Sequence, residues 1–499
     1  MSKHYHLIVI GAGSGGLVAA AGAAGLGAKV ALVEKHKMGG DCLNTGCVPS
    51  KAIIRTAKLI YDAKTGSRFG LSDLNADINP STPLRVDLSQ IIKSVQSVQG
   101  KLEPHDSPDR FRKLGVDLHF GTFRFISPYE ITDGTVTLSA KRFVIATGAS
   151  PFVPPIKGIK EISILTSDNV WSLKEIPKRL VVLGGGPIGA ELTQVFARLG
   201  SRVTVVEMLD SLLIREDAEV SQAIKERFIK EGIEVLTGHK AVEINPSTLL
   251  RVDAERSRSI KKSGESFELM AQEGEKEKRI PFDQILVAVG RAPNVNNLDL
   301  EKAGIRFSRK GIAVDDYLRT SAKHIYACGD VVGPYQFTHT ADFQARLILR
   351  NALFPGRSKI DYRVVPWCTF TDPEVARVGL NEKEAKEKGL HHDIYSYSFK
   401  DLDRAVCDRE DEGFIKVLTQ KSSDQLLGVT IVGPHAGDLL HELALAMHQR
   451  IGLKKVASMI HVYPTLAEIS KRVGDAYQRT RLTPRYKKWL ERYFRWRFG

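Results

Sequence analysis

Residues 5–34, YHLIVIGAGSGGLVAAAGAAGLGAKVALVE, decide the fold. An apolar run leads into Gly11-x-Gly13-x-x-Gly16, an Ala/Gly-rich stretch continues to about Gly27, and a second apolar run ends at Glu34. Strand, tight glycine turn, helix and strand in that order make a dinucleotide-holding unit. The glycines admit backbone to a pyrophosphate, the helix N-terminus offsets its charge, and the terminal acid reaches the ribose hydroxyls. The pattern returns over 179–207, with Gly184, Gly186, Gly189 and Glu207, and each acid stands 18 residues past the last glycine of its turn. Pro151, Pro154 and Pro155 separate the two copies. An α/β chain with two Rossmann-like dinucleotide-binding domains is therefore expected.

Between the copies lies a second decisive stretch, GGDCLNTGCVPSK at 39–51. Cys42 and Cys47 are five apart where a Gly-rich turn runs into an apolar helix (Ala52, Ile53, Ile54, Ala57, Leu59, Ile60). Gly46 and Asn44 give the local freedom that brings two Cα atoms within disulfide reach. Helix N-terminal amides and Lys51 favour thiolate, the reactive form, over thiol. The first nucleotide site, beside these cysteines, is expected to hold a flavin, and the second a nicotinamide donor. Glu207 accepts from a ribose 2′-OH and repels a 2′-phosphate, which favours NADH over NADPH; Arg202 and Arg215 leave NADPH open.

At 499 residues the chain exceeds one core, and 42% hydrophobic with 26% charged residues fits a globular protein. No apolar run reaches the roughly 18 residues that cross a bilayer. The start, MSKHYHLIVIGAG, lacks the apolar stretch and cleavage site of a secretory signal. Five cysteines, only two closely spaced, do not make an extracellular disulfide framework, so a cytoplasmic setting is expected. The net charge is +14, of which residues 479–499 carry eight Lys/Arg against one Glu. The body is only mildly basic, and nucleic acid is not an expected partner.

Further along, RFVIATGAS (142–150) predicts a strand that returns to the first sheet and offers Thr147 and Gly148. Residues 255–280 predict a solvated hairpin. QILVAVGR (284–291) and HIYACGD (324–330) predict apolar strands ending at Gly290 and at Gly329-Asp330. The latter, followed by a helix over 340–353, presents a carboxylate and a helix N-terminus to a flavin. From about 358, five alternating strands and two helices predict a C-terminal α+β domain with a sheet face for dimerisation. No metal site is read: Cys328 is taken as a packing residue, and for Cys368 and Cys407 packing is the expectation, with soft-metal or thiol ligation the alternative.

GGDCLNTGCVPSK, the paired glycine turns, ATG, the Gly-Asp strand end and YPTLAE together resemble the class I pyridine nucleotide–disulfide oxidoreductases, which include dihydrolipoamide dehydrogenase, glutathione reductase and mercuric reductase. The resemblance spans roughly residues 5–475. FVIATGASPFVPPIKG, LTSDNVWSLKE and VPWCTFTDPEVARVG look most like the mercuric-reductase branch. It implies an FAD domain in two parts, 1–152 and 284–357, around an NAD(P) domain at 153–283. An interface domain at 358–475 and a basic tail at 476–499 follow, in a homodimer. It also implies that NAD(P)H reduces FAD, which reduces a Cys42–Cys47 disulfide. Cys47 would face the flavin as the charge-transfer thiol and Cys42 would meet substrate. Lys51 would sit by the flavin with Glu191 as its partner, and Asp330 would bind the ribityl chain.

Two departures bear on the substrate. Dihydrolipoamide dehydrogenase and glutathione reductase carry His-Pro-Thr-x-x-Glu, whose His is the acid–base for thiol exchange. Here the segment reads Tyr463-Pro464-Thr465-Leu466-Ala467-Glu468. A phenol of ordinary pKa about 10 is a poor proton shuttle near neutrality, and His461, two residues earlier, is expected to be structural. Mercuric reductases also lack that His, but they carry a C-terminal cysteine pair; this sequence has no Cys after Cys407 and no N-terminal metal-binding module. The expected reaction is electron transfer from NAD(P)H to a thiol, a disulfide or a soft metal such as Hg(II). A membrane-peripheral NADH:quinone oxidoreductase and a dihydrolipoamide dehydrogenase-like subunit of a larger assembly are the alternatives. In the tail, Tyr486, Trp489, Leu490, Tyr493 and Trp496 fall at helical spacing among basic residues, a pattern that suits an anionic membrane surface or the packing of a dimer partner.

Overall fold

Strand Lys3–Ile10 lies at the centre of the first sheet, and from Leu7 to Ile10 both of its faces are buried, as a parallel strand requires. The computed structural model describes residues 3–71, 86–246 and 267–499. That central strand pairs in parallel with Val30–Glu34 and with Thr137–Ile145. Val116–Phe120 extends the sheet beyond Val30–Glu34, and Ile325–Ala327 joins Thr137–Ile145, also in parallel. The ATG strand thus returns to the first sheet, and the Gly-Asp strand lies beside it. Glu130–Thr132 and Arg124–Ser127 complete seven strands.

The second glycine motif builds a four-stranded parallel sheet in the order Glu234–Leu236, Arg202–Val206, Arg179–Leu183 and Gln284–Val287. Helix Pro187–Leu199 is the crossover between its two central strands. Phe267–Glu273 and Lys276–Phe282 do form a hairpin, in a three-stranded sheet with Lys240–Pro246. It is not solvated all round. Leu269, Ala271, Ile280 and Phe282 lie on one face of the hairpin and enter a core shared with Val181, Val206 and Val287. Residues 255–266 of the expected hairpin lie outside the described residues, as do residues 72–85 of the expected charged helical region.

The chain divides into two compact units, residues 1–210 with 228–360 and residues 211–227 with 361–499. The second unit is a five-stranded antiparallel sheet in the order Pro366–Thr369, Glu374–Gly379, Leu426–Gly433, Phe414–Gln420 and His392–Ser398. Helices Ala436–His448, Leu453–Ser458 and Glu468–Arg481 bury Leu440, Val456 and Val473 against it. Within it Arg377 is almost fully buried, bound to Glu216 at 3.1 Å and Glu384 at 3.0 Å, and stacked over the Trp367 ring at 4.3 Å.

Candidate active site

Cys42 lies in a one-turn helix, Gly40–Asn44, and Cys47 is the first residue of helix Cys47–Lys64. The turn before them needs glycine. Gly40 has φ +57°, and a Cβ there would stand 2.6 Å from the Cα of Gly13, so the redox loop packs directly on the first glycine turn. The loop is pinned from outside. Gln99 donates to Leu43 O and Asn44 O at 2.9 Å each, Trp171 Nε1 donates to Thr45 O at 2.8 Å, and Asn44 donates back to Met38 O and Gly40 O.

The two thiols form one electrostatic unit. The Cys47 pKa falls to about 6, first because Cys42 hydrogen-bonds its sulfur, and further through the Thr338 hydroxyl and the Lys51 charge. Burial and Glu191 oppose that fall without cancelling it. Cys42 moves the other way, held protonated by the bond it gives Cys47, by burial and by the neighbouring thiolate. Thr338 Oγ1, 3.5 Å from Cys47 Sγ, opens helix Thr338–Leu353, the helix expected over 340–353. Cys47 thus takes two helix N-termini as neighbours, its own and this one, and both favour negative charge.

Lys51, one turn into the redox helix, places Nζ 2.8 Å from Glu191 Oε2. Glu191 is buried in helix Pro187–Leu199, so the ion pair ties the redox helix to the second nucleotide unit. That pair was legible in the sequence only through the family resemblance.

The glycine turns test the fit to dinucleotides. A Cβ at Gly16 would stand 1.8 Å from Gly11 O, and one at Gly189 would stand 1.9 Å from Gly184 O. Gly11 (φ +99°) and Gly184 (φ +102°) adopt backbone that side chains disfavour. A Cβ at Gly186 would meet nothing within 4 Å, and one at Gly13 only Gly40 at 3.8 Å. The chain's own packing does not demand those middle glycines; room for a pyrophosphate does. Glu34 accepts from Ala12 N at 2.7 Å and His36 N at 2.8 Å, and Glu207 accepts from Gly185 N at 2.7 Å and Leu209 N at 2.8 Å. Each acid closes over its turn in the same way. Both cradles fit a dinucleotide.

Thr147 and Gly148 are locked to Asn294: Thr147 Oγ1 donates to its carbonyl at 2.8 Å, and its backbone N–H donates to Gly148 O at 2.9 Å. Gly290 has φ +136° and accepts from Phe152 N. Gly329 (φ +75°) donates to the buried Gln344 Oε1 at 2.7 Å and presents Asp330, whose pKa burial raises against the pull of Arg291. Arg291 also bonds Asp41 of the redox loop and the carbonyl of Ala149. Sequence reasoning missed Arg291, Asn294, Thr338, Gln99 and Trp171 because each acts across more than 50 positions. The strand-end Gly-Arg at 290–291 was the one signal present. Cys328 is fully buried, its pKa pushed up to about 12 by burial, as a packing residue should be.

In the second unit Tyr463 is exposed and donates to Asp403 Oδ2 at 3.0 Å. That bond and the Asp403 charge raise its pKa, so the phenol stays protonated. Glu468 does not hydrogen-bond to it. Its carboxylate is buried at the start of helix Glu468–Arg481 with Arg472 3.6 Å away. The His461 side chain is buried with both ring nitrogens engaged, Nε2 by Glu442 at 3.0 Å and Nδ1 by Met459 O at 3.2 Å. Asp217, Glu219 and Glu382 bring three carboxylates together, and Lys416 Nζ fills their centre.

Twin dinucleotide units with a helix-start dithiol tied to the second of them define a nicotinamide-linked flavoprotein disulfide reductase. The chain belongs to the pyridine nucleotide-disulphide oxidoreductase family, whose profile matches residues 5–345, and the family's dimerisation domain matches residues 365–473. Members use FAD and a nicotinamide nucleotide. Mercuric reductase of Staphylococcus aureus is 35% identical over 465 residues, covering 93% of this chain and 81% of that protein. Dihydrolipoyl dehydrogenase of Bacillus subtilis is 32% identical over 490 residues, covering 95% and 98%. The Cu(II) complex of the HOCl-induced flavoprotein disulfide reductase RclA from Escherichia coli superposes with a TM-score of 0.79 at 25% identity, covering 95% of this chain and 99% of that one.

Proposed function

We propose that the chain is a cytoplasmic homodimeric reductase that uses NADH and FAD to reduce a thiolate-bound metal ion, Hg(II) or Cu(II), held by the Cys42–Cys47 dithiol. Tyr463 carries this reading. Reducing a disulfide to two thiols consumes protons at leaving thiolates, and the residue at the family's acid–base position is a phenol held protonated by Asp403. Reducing a metal ion needs no proton at a leaving group. The Cu(II) complex of RclA and the similarity to mercuric reductases support the same class.

Bound FAD would supply the two-electron link between nicotinamide and the cysteines. Gly11, Gly13, Gly16, Glu34, Thr147, Gly148, Gly329 and Asp330 would hold it, and Gly184, Gly186, Gly189, Glu207 and Gly290 would hold the nicotinamide nucleotide. Cys47 near pKa 6 supplies a thiolate at neutral pH, a ligand a soft metal prefers. Cys42 holds the proton of the pair and releases it as metal binds. Lys51, fixed by Glu191, keeps positive charge beside that thiolate. NADH is favoured because Glu207 sets negative charge where a 2′-phosphate would sit. Arg202 begins the strand that Glu207 follows, about 16 Å away at strand rise, too far to offset that charge.

The deciding experiment measures NADH oxidation by the flavin-loaded protein with Hg(II), Cu(II), lipoamide and glutathione disulfide. Metal-dependent turnover lost in Cys42→Ser and in Cys47→Ser is expected. Lipoamide turnover faster than either metal would overturn the reading.

A further inference from the structure

We propose that the C-terminal helix, Pro484–Phe498, docks the enzyme on an anionic lipid surface. The helix is an element in its own right: Thr483 caps it by accepting from Tyr486 N, and Pro484 occupies its first turn. None of its fifteen residues is buried. Tyr486, Trp489, Tyr493 and Trp496 follow one another at spacings of three, four and three along one seam. Their rings are already ordered, Tyr486 on Trp489 at 5.5 Å and Trp489 on Tyr493 at 5.8 Å. Leu490, Phe494 and Phe498 widen that seam into a broad apolar face. Trp496 and Phe498 are 78% and 79% exposed. A contiguous aromatic face of this kind marks a surface that something covers.

Charge decides what covers it. Arg485, Lys488, Arg492 and Arg495 repeat with the same three, four, three spacing on the side away from Leu490 and Phe494. Lys487 and Arg497 stand on the apolar face itself, Arg497 seven residues after Leu490, and their long basic stems can run along apolar surface and keep their heads in water. The helix holds six Lys/Arg against Glu491 alone. A second copy of the helix would set that excess of positive charge against itself. A bilayer interface matches every part: Trp and Tyr sit at headgroup depth, the apolar face enters the acyl boundary, and anionic headgroups neutralise the basic seam. At fifteen residues the helix is about 22 Å long. No described helix is long and apolar enough to cross a membrane, so this one would lie in the interface plane.

The test uses the full-length, flavin-loaded protein with phosphatidylcholine vesicles and with vesicles containing phosphatidylglycerol. Co-sedimentation and tryptophan fluorescence are followed, and the oligomeric state is measured in parallel by sedimentation velocity. Binding confined to the anionic vesicles, with a blue-shifted emission, is expected. W489A/W496A and R492E/R495E should each weaken it by about tenfold or more, and high salt should release the wild type. Deleting 484–499 should abolish vesicle binding and leave the oligomeric state unchanged. No binding to anionic vesicles, equal binding to neutral ones, or dissociation of the oligomer on deletion without any vesicle binding would each overturn the proposal; the last would make the helix a subunit contact.

Discussion

Replacing Cys42 with Ala removes the interaction that most lowers the Cys47 pKa. The bond ends on a charged sulfur, and hydrogen bonds to charged groups contribute about 1.5–3 kcal/mol. At 1.36 kcal/mol per pKa unit, that is about one to two units. With Cys47 near 6, half of it is thiolate at pH 6. In Cys42→Ala the fraction at that pH falls about fivefold to fiftyfold. The sign is fixed by the direction of the shift: reactivity is full above the pKa, falls below it, and the variant moves that fall to higher pH. The assay is the iodoacetamide alkylation rate of Cys47 in the reduced protein from pH 4.5 to 9, with the alkylated site mapped by mass spectrometry. Cys42→Ser keeps a donor and should move the midpoint less than Cys42→Ala. If the Ala variant keeps a midpoint near 6, the helix N-termini and Lys51 carry the whole effect, and the paired-thiol account is wrong.

Gly16→Ala forces a Cβ to 1.8 Å from a carbonyl oxygen in the first turn, and should yield protein that loses flavin on gel filtration. Gly189→Ala does the same at 1.9 Å in the second turn; it should keep its flavin and lose reduction of that flavin by NADH. Glu207→Gln keeps an oxygen for one backbone N–H and removes the charge, so the ratio of kcat/KM for NADPH over NADH should rise about tenfold. Lys416→Met strips the cation from Asp217, Glu219 and Glu382. The loss should cost about 3–5 kcal/mol, read as a lower urea midpoint of the second unit, with part of it regained at low pH as the carboxylates protonate.

The fold was legible wherever chemistry is local in sequence. Both strand–turn–helix–strand units could be read because turn, helix and ribose acid fall within about thirty residues and each glycine has a steric reason. The dithiol could be read because helix start, lysine and cysteines are contiguous. What holds it could not. Gln99, Trp171, Arg291 and Thr338 reach the redox loop from other elements, and an isolated Gln or Trp carries no periodic or spacing signal. Tyr463 stood out as a departure from a motif, but Asp403, sixty residues earlier, supplies the bond that fixes its protonation. The hairpin over 267–282 was misjudged because its exposed charged run, Lys276 to Arg279, stands out in sequence, whereas only the sheet face decides that Leu269, Ala271, Ile280 and Phe282 are buried.

The two nucleotide turns are nearly the same object, down to the acid that closes over the residue after the first glycine. Their ligands must therefore be sorted by what packs on each turn. At the first, the redox loop lies against the middle glycine, with Gly40 Cα 3.8 Å from a Cβ position on Gly13. At the second, the same position on Gly186 faces open space. A ligand in the first cradle is walled by the loop that carries the cysteines and by Arg291, which bonds both that loop and the Ala149 carbonyl. We propose that enclosure sorts the two: the group that must stay is assigned to the first turn, and the one that exchanges with solution on every turnover to the second. Lys51 and Glu191, one residue from each side, join the two by a 2.8 Å ion pair.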